Sequence, residues 1–351
     1  MKNTPQDASQ KMIRLWLFVG MVMVAIQVMI GGITRITESG LSITEWNPIL
    51  GFLPPLNENA WLQEFEKYQS TDQFKYIKSS LLLSEFKFIF FWEWFHRNWA
   101  RLIGFVFLFP FLYFIISKKI KRTEIGKYSI LFLLGFLQAF LGWIMVKSGL
   151  KKGMLFVDTV FLTLHFIVAI GILIYIVYLI RQKGQTVFYS VSKKFYRQTQ
   201  LLILFLSIQL IYGGFMSGLK AANFASTWPT INGEWMPLKA MWKDIGYFNF
   251  IYNPFMTHFI HRTLAYIILA FICFWIYQMY RQKIKHNFSP WSFLILSVIV
   301  IQITLGVITV LVSPDYRVMR WIAVLHQLFG MSLFALVMWV FYSLKFSSTP
   351  K

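Results

Sequence analysis

Eight long apolar runs most limit how this chain can fold. A run of about 20 apolar residues can cross the hydrocarbon core of a bilayer as one helix. The runs lie near residues 13–33, 88–117, 125–146, 155–180, 198–218, 255–280, 290–312 and 319–344. Hydrophobic residues make up 57% of the chain and charged residues 14%, which leaves more apolar surface than a soluble protein of 351 residues can bury. The sequence therefore predicts an all-α polytopic membrane protein with eight transmembrane helices.

The second half of the chain repeats the pattern of the first, at shifts of 161 to 182 positions. The matched residues are Gln27 and Gln209, Gly31 and Gly213, Trp46 and Trp228, His96 and His261, Gln138 and Gln302, Gly142 and Gly306, and His165 and His326. Each half has four spans and one long connection after its first span. An even number of spans in a tandem duplication predicts two pseudo-symmetric four-helix bundles, residues 1–190 and 191–351, related by an axis along the membrane normal.

The basic residues predict the orientation of the chain. The termini and the loops on their side of the membrane hold 18 basic and 2 acidic residues, whereas the other side holds 16 and 12. Short basic loops belong in the cytoplasm, so we expect a bacterial cytoplasmic (inner) membrane with both termini inside. The net charge of +20 then reflects topology and contact with the lipid bilayer, and nucleic acid is excluded as a partner. Cys273 is the only cysteine, so an intrachain disulfide is excluded.

Each half carries two histidines inside apolar spans. His96, His165, His261 and His326 all fall in the outer third of the predicted membrane. A single intramembrane histidine is commonly a hydrogen-bonded packing residue, but four at repeated positions argue against that interpretation. Zinc usually takes at least three protein ligands, whereas a haem iron needs one or two axial ligands and an apolar slot. The pattern therefore predicts one haem iron held between two helices in each half.

Polar residues beside the histidines suggest further roles. Arg97 and Arg262 each follow a histidine at the water boundary, where they could pair with haem propionates or extend to lipid headgroups. Glu93 lies three residues before His96 on the same helix face, and its counterpart in the repeat is His258. Glu93 is either a simple i,i+4 partner of Arg97 or a carboxylate at a reaction centre that the second half lacks.

Several long motifs resemble the haem A synthase family. They are GGITRITESGLSITEWNPILGFLPP at 31–55, EFKFIFFWEWFHR at 85–97, MVKSGL at 145–150, TWPTINGEWMP at 227–237, HFIHRTLAY at 258–266, QITLGVITV at 302–310 and LHQ at 325–327. The resemblance extends from about residue 15 to about residue 340. It implies a membrane enzyme that oxidises a methyl group of haem O to a formyl group through hydroxylated intermediates, giving haem A for haem-copper oxidases.

The resemblance also implies roles for individual residues. His96 and His165 would hold the substrate haem O, His261 and His326 would hold a haem b that passes electrons, and Glu93 matches the acid of a Glu-x-x-His motif. The first outer loop lacks the cysteine pair of some members, so the chain resembles the cysteine-free branch typical of mitochondria and many proteobacteria. His258 departs from the neutral polar residue expected there.

The implied partners are haem O, supplied by a haem O synthase, and an electron donor or acceptor that the sequence does not identify. The sequence leaves the oligomeric state open, a homo-oligomer included. Two histidines on one iron leave no free coordination position, which favours removal of electrons followed by attack of water on the methyl carbon. Glu93 would orient that water, accept its proton or stabilise the developing positive charge.

Two other function classes fit parts of the pattern. A diheme electron carrier with two bis-histidine sites would have the same helices and ligands, although the Glu93 and His258 asymmetry argues against two equivalent sites. A transporter with inward-facing histidines would bind no haem, and inverted repeats with broken helices would favour it. The repeat in this chain is parallel, which argues against a transporter.

Overall fold

A computed structural model describes residues 5–45, 50–183, 189–281 and 285–346. Trp46, one of the repeated residues, lies outside these ranges. Helices dominate the fold. The long helices are α1 (Pro5–Ile36), α4 (Leu83–Ile116), α5 (Arg122–Gly149), α6 (Thr159–Lys183), α7 (Lys193–Gly218), α10 (Pro254–Arg281), α11 (Lys285–Leu311) and α12 (Tyr316–Phe341). Short helices α2 (Glu58–Gln69) and α3 (Asp72–Ile77) lie in the first long connection, and α8 (Leu238–Met241) and α9 (Asn249–Tyr252) in the second.

The prediction of eight membrane-spanning helices is confirmed. Within the described ranges, eight helices are long and apolar enough to cross a membrane, and this is a multi-pass membrane protein. Large apolar side chains on these helices, such as Phe109, Leu133 and Phe136, are exposed, as expected where lipid covers the surface. Several helices extend past the predicted apolar runs; α1 begins at Pro5 rather than near residue 13. Its first turn is polar and contains Asp7, which a helix N-terminus favours.

The helices group into two compact units. The N-terminal unit ends at Ile172 and the C-terminal unit begins at Leu173, so the boundary falls inside α6. The predicted boundary near residue 190 separates the two sequence repeats, and it stays a prediction, as does their pseudo-symmetry. Each unit contains one of the two predicted histidine pairs.

An aromatic cluster holds the N-terminal unit together. Trp16 on α1 contacts Phe107 and Phe111 on α4 and Tyr128 on α5, with ring centres 5.5 to 6.4 Å apart. Its indole N–H donates to the carbonyl oxygen of Val106 at 2.9 Å. A Cβ added at Gly20 would lie 2.4 Å from the Phe107 ring, so glycine is needed where α1 packs against this ring of α4.

A buried tryptophan has the same role in the C-terminal unit. Trp275 on α10 is fully buried and stacks on Phe195 of α7 at 5.7 Å. Its indole N–H donates to Thr199 Oγ1 at 2.9 Å, so the polar edge of the ring is satisfied. Strands β1 (Tyr189–Val191) and β2 (Leu344–Phe346) form a short parallel pair in this unit.

The long connections are folded rather than extended. In the first, Tyr68 is fully buried against Phe86, and burial raises its pKa. Gln73 donates to the Leu155 carbonyl at 3.2 Å, which ties α3 to the α5–α6 turn. In the second, the buried Asn253 donates to the carbonyls of Ala240 and Met241. These contacts fix the loops that adjoin the histidine-bearing helices.

Candidate functional site

Each unit brings together the two histidines that the sequence singled out. In the N-terminal unit, His96 on α4 faces His165 on α6 with ring centres 6.5 Å apart. In the C-terminal unit, His261 on α10 faces His326 on α12 with ring centres 6.3 Å apart. The two pairs therefore have closely similar internal geometry.

The spacing of each pair fits one metal ion between two rings. A first-row metal binds an imidazole nitrogen at about 2 Å, and that nitrogen lies about 1 Å from its ring centre, so two opposed ligands have ring centres about 6 Å apart. In the described part of the chain, no group of three or more His, Cys, Asp or Glu side chains is placed to hold a metal ion. Two protein ligands are too few for the usual zinc site, but they suffice for the axial positions of a haem iron. The donor set therefore fits haem.

A backbone carbonyl and a glycine orient one histidine of each pair. His165 Nδ1 lies 3.1 Å from the carbonyl oxygen of Gln138 on α5. Because a carbonyl oxygen can only accept, Nδ1 carries the proton and the lone pair of the neutral ring is on Nε2. A Cβ added at Gly142 would lie 2.9 Å from His165 Cε1, so glycine makes room for the ring. The result is a tautomer suited to metal ligation through Nε2.

The C-terminal unit repeats this arrangement. His326 Nδ1 lies 3.0 Å from the carbonyl oxygen of Gln302 on α11, and a Cβ at Gly306 would lie 2.9 Å from His326 Cε1. The sequence identified these glutamines and glycines as repeated residues, but it did not reveal that their backbone holds the imidazoles. The repetition itself was the available signal.

Four glutamine amides border the two pairs. Gln27 and Gln209 each donate to the backbone carbonyl of a pair member, His96 and His261, at 3.1 Å. The amide groups of Gln138 and Gln302 lie 3.2 and 3.4 Å from the Nε2 atoms of His165 and His326. In each of the four amides Oε1 is buried and has no hydrogen-bond partner in the described chain. Buried acceptors of this kind commonly mark the place of a ligand or water.

Glu93 and Arg97 hold the first long connection against α4. The Glu93 carboxylate is 3% exposed and accepts from Ser42 Oγ at 2.8 Å and from the Ile43 backbone N–H at 2.9 Å. Arg97 Nη2 pairs with Glu93 Oε1 at 2.6 Å and also donates to the Ile43 carbonyl, while Nη1 donates to the Glu45 carbonyl. The expected i,i+4 ion pair is therefore present, and it is part of a wider loop anchor that the sequence did not reveal.

Arg262 and His258 hold the corresponding loop in the C-terminal unit. Arg262 donates to the carbonyls of Thr227, Pro229 and Thr230 at 2.9 to 3.1 Å. Its Nη2 also lies 2.9 Å from His258 Nε2. His258 thus supplies a neutral acceptor where the N-terminal unit has a carboxylate. Both arginines contact loop carbonyls, and their predicted contact with propionates stays a prediction.

The fold and the two histidine pairs define a class, the polytopic helical membrane proteins with two bis-histidine sites suited to haem iron. The family model described as cytochrome oxidase assembly protein matches residues 14–338, and the chain belongs to this family.

The relatives agree over nearly the whole length. A protein named haem A synthase from Wolbachia sp. subsp. Brugia malayi is 36% identical over 334 residues, which cover 94% of this chain and 96% of that protein. Another of that name, from Nitrosospira multiformis, is 35% identical over 349 residues, 98% of this chain and 96% of that protein. A third, from Cereibacter sphaeroides, is 33% identical over 350 residues, 95% of this chain and 88% of that protein.

Proposed function

We propose that this chain is a haem A synthase, an oxidoreductase that converts haem O to haem A in a membrane. The family membership and the relatives of that name support the reaction. In each unit two imidazoles face each other at a spacing that fits one haem iron. This observation supports the assignment of the haem sites to particular residues. Oxidation of the methyl group to the formyl group consumes one water in total and releases four protons and four electrons. Two of the electrons leave when the hydroxymethyl group forms and two when it becomes the formyl group, and all four pass to an electron acceptor.

The two sites have different occupants in this proposal. His96 and His165 bind the substrate haem O in the N-terminal half, residues 1–190, where Glu93 lies one helical turn from His96. His261 and His326 bind a haem b in the C-terminal half, residues 191–351. When bound, haem b supplies one-electron transfer. The difference between Glu93 and His258 at matched positions supports this division of roles.

Glu93 is the proposed catalytic carboxylate. Its contacts with Ser42, Ile43 and Arg97 orient the carboxylate, and the residue lies one helical turn from His96, the proposed substrate ligand. From there it positions a water molecule for attack on the methyl carbon, or stabilises the positive charge that develops there. The Glu93 side chain is almost fully buried, so it is shielded from bulk water.

The charge distribution supports a particular cellular setting. Basic loops on the side of both termini support a bacterial inner membrane with cytoplasmic termini and haem sites toward the outer side. Haem O reaches the N-terminal half from the membrane, as the product of a haem O synthase. The electron acceptor is a separate partner.

The test is to identify the haems that the chain contains and makes. The full chain is produced in cells that supply haem O but have no other haem A synthase, and the extracted haems are identified by mass. We expect haem A or its hydroxylated precursor together with haem B. The double variant His96→Ala with His165→Ala should retain haem B and lose the oxidised haems, whereas His261→Ala with His326→Ala should lose haem B.

The alternative function gives a different result in the same experiment. A diheme electron carrier would contain two haem B molecules per chain and leave haem O unchanged. Loss of the oxidised haems from both double variants, with haem B lost from neither, would contradict the assignment of sites.

A further inference from the structure

Arg320 is a cation in a spanning helix that no carboxylate neutralises in the described part of the chain. It lies on α12, six residues before His326, and its guanidinium lies 5.4 Å from the Trp321 ring centre. Its Nε–H is buried, with no acceptor among the described residues. A buried guanidinium hydrogen without a partner is unfavourable, and more so in a membrane. An anionic ligand would supply the missing hydrogen-bond acceptor and balance the charge.

His258 presents a second unpartnered donor at the same end of the C-terminal unit. Its Nε2 contacts Arg262 at 2.9 Å, and because arginine can only donate, Nε2 accepts and the proton of the neutral ring is on Nδ1. His258 is 2% exposed, and its Nδ1 has no partner in the described chain. A buried N–H therefore lies one helical turn from His261 on the same face of α10.

Contacts within the C-terminal unit bring these two residues to one end. Arg262 donates to carbonyls of the loop at 227–230 and contacts His258. Ser313, just before α12, donates to the Ala222 carbonyl and contacts Ser226 in the same connection. Arg320 lies about 9 Å along α12 from His326, toward this end. Both donors are therefore displaced in one direction from the histidine pair.

At the two positions matched to His258 and Arg320, the described N-terminal unit has no guanidinium or imidazole. The counterpart of His258 is Glu93, an acceptor already used by Ser42, Ile43 and Arg97. The shift of 161 positions that relates His326 to His165 relates Arg320 to Thr159, which has no charge. The two halves therefore differ at these two matched positions, and only the C-terminal half carries a guanidinium and an imidazole there.

We propose that Arg320 and His258 bind the propionate carboxylates of the haem held by His261 and His326. The propionates leave one edge of the macrocycle, so a haem with that edge toward the 227–230 loop would meet both donors. A guanidinium and an imidazole N–H form charge-assisted hydrogen bonds with carboxylates. These two residues replace Arg262 as the main propionate partners, because Arg262 Nη1 and Nη2 already contact the loop carbonyls and His258. The inference rests on the proposed haem site of the C-terminal half.

The test compares haem with its dimethyl ester, in which both carboxylates are blocked. The full chain carrying His96→Ala and His165→Ala leaves only the C-terminal pair to bind, and each compound is titrated into it in detergent. We expect haem to bind more tightly than the ester. Arg320→Gln and His258→Phe should each weaken binding of haem about tenfold to a hundredfold, with little change for the ester. Arg320→Lys should restore part of the preference because it retains the charge.

A matched control and a second measurement complete the test. Arg317→Gln removes an exposed arginine one turn earlier on α12 and should leave the preference unchanged. Arg320→Gln should also lower the midpoint potential of the bound haem, because an uncompensated carboxylate stabilises ferric iron. Two results would overturn this proposal alone. In the first, the chain that carries only His96→Ala and His165→Ala binds haem and the ester equally. In the second, neither Arg320→Gln nor His258→Phe changes the preference of that chain for haem over the ester. A background chain that binds neither compound would overturn the haem site itself.

Discussion

His326 donates its Nδ1–H to the backbone carbonyl oxygen of Gln302 at 3.0 Å, across the interface of α11 and α12. The same contact joins His165 to Gln138 at 3.1 Å in the N-terminal unit. A backbone acceptor fixes the tautomer without adding a charge to a spanning helix. The carbonyl oxygen is part of the backbone of one helix and the imidazole is attached to the other, so both helices together hold the ring in place.

The glycines beside these histidines should therefore be required for haem binding. Gly306→Ala places a methyl group 2.9 Å from His326 Cε1, which forces the ring from its carbonyl, and we expect affinity for haem B to fall about tenfold to a hundredfold. Gly142→Ala should instead reduce occupancy by haem O and haem A. Haem content per chain, with mass identification, measures both effects.

Gly135→Ala is the control for these variants. It lies on α5 like Gly142, but a Cβ there meets nothing within 4 Å, so haem content should not change. Full occupancy in both Gly142→Ala and Gly306→Ala would show that the rings do not depend on this contact.

The sequence predicted the helices because membrane insertion depends on local composition. Eight apolar runs are sufficient to predict eight spans, and their order supports the repeat. The ends of helices were less certain, as at Pro5, because polar turns outside the bilayer carry little apolar signal. The short helices α2 and α3 lie in a connection that hydropathy treats as a loop.

The contacts of individual side chains were harder to predict. The positions of His96 and His165 were available from the repeat, but the partners of Arg97 depend on a loop more than 50 residues away in sequence. A guanidinium at a membrane boundary can meet a propionate, a lipid headgroup or a carbonyl. Only the path of the loop decides among them.

The buried tryptophan of the C-terminal unit should contribute strongly to its stability. Trp275→Phe removes the indole N–H that donates to Thr199 and leaves space in a fully buried position, so we expect a loss of about 1–3 kcal/mol. Thermal unfolding in detergent should show a lower Tm. Trp235→Phe, at a position that is 71% exposed, should leave the Tm unchanged, and equal Tm values for the two variants would contradict the packing role of Trp275.

Arg262 should act mainly on the loop at 227–230. Arg262→Gln removes hydrogen bonds to three loop carbonyls, so amide hydrogens in residues 226–234 should exchange faster with deuterium. Arg281→Gln, at the opposite end of α10, is the matched control and should leave exchange in this loop unaltered. Unchanged exchange in Arg262→Gln would mean that other contacts fix the loop.

Glu93 provides the sharpest test of the proposed chemistry. Glu93→Gln keeps the size of the side chain and its acceptor oxygen for Ser42 or Ile43, but it removes the negative charge one helical turn from His96. We expect haem O to remain bound while its conversion slows by about 10²- to 10⁴-fold, the usual contribution of a positioned acid or base. The ratio of haem O to oxidised haem in the extracted chain measures this, with Glu85→Gln near the start of α4 as the charge-matched control. If Glu93→Gln produced as much haem A as the unaltered chain, the catalytic role would be wrong. Glu93 would then only anchor the loop.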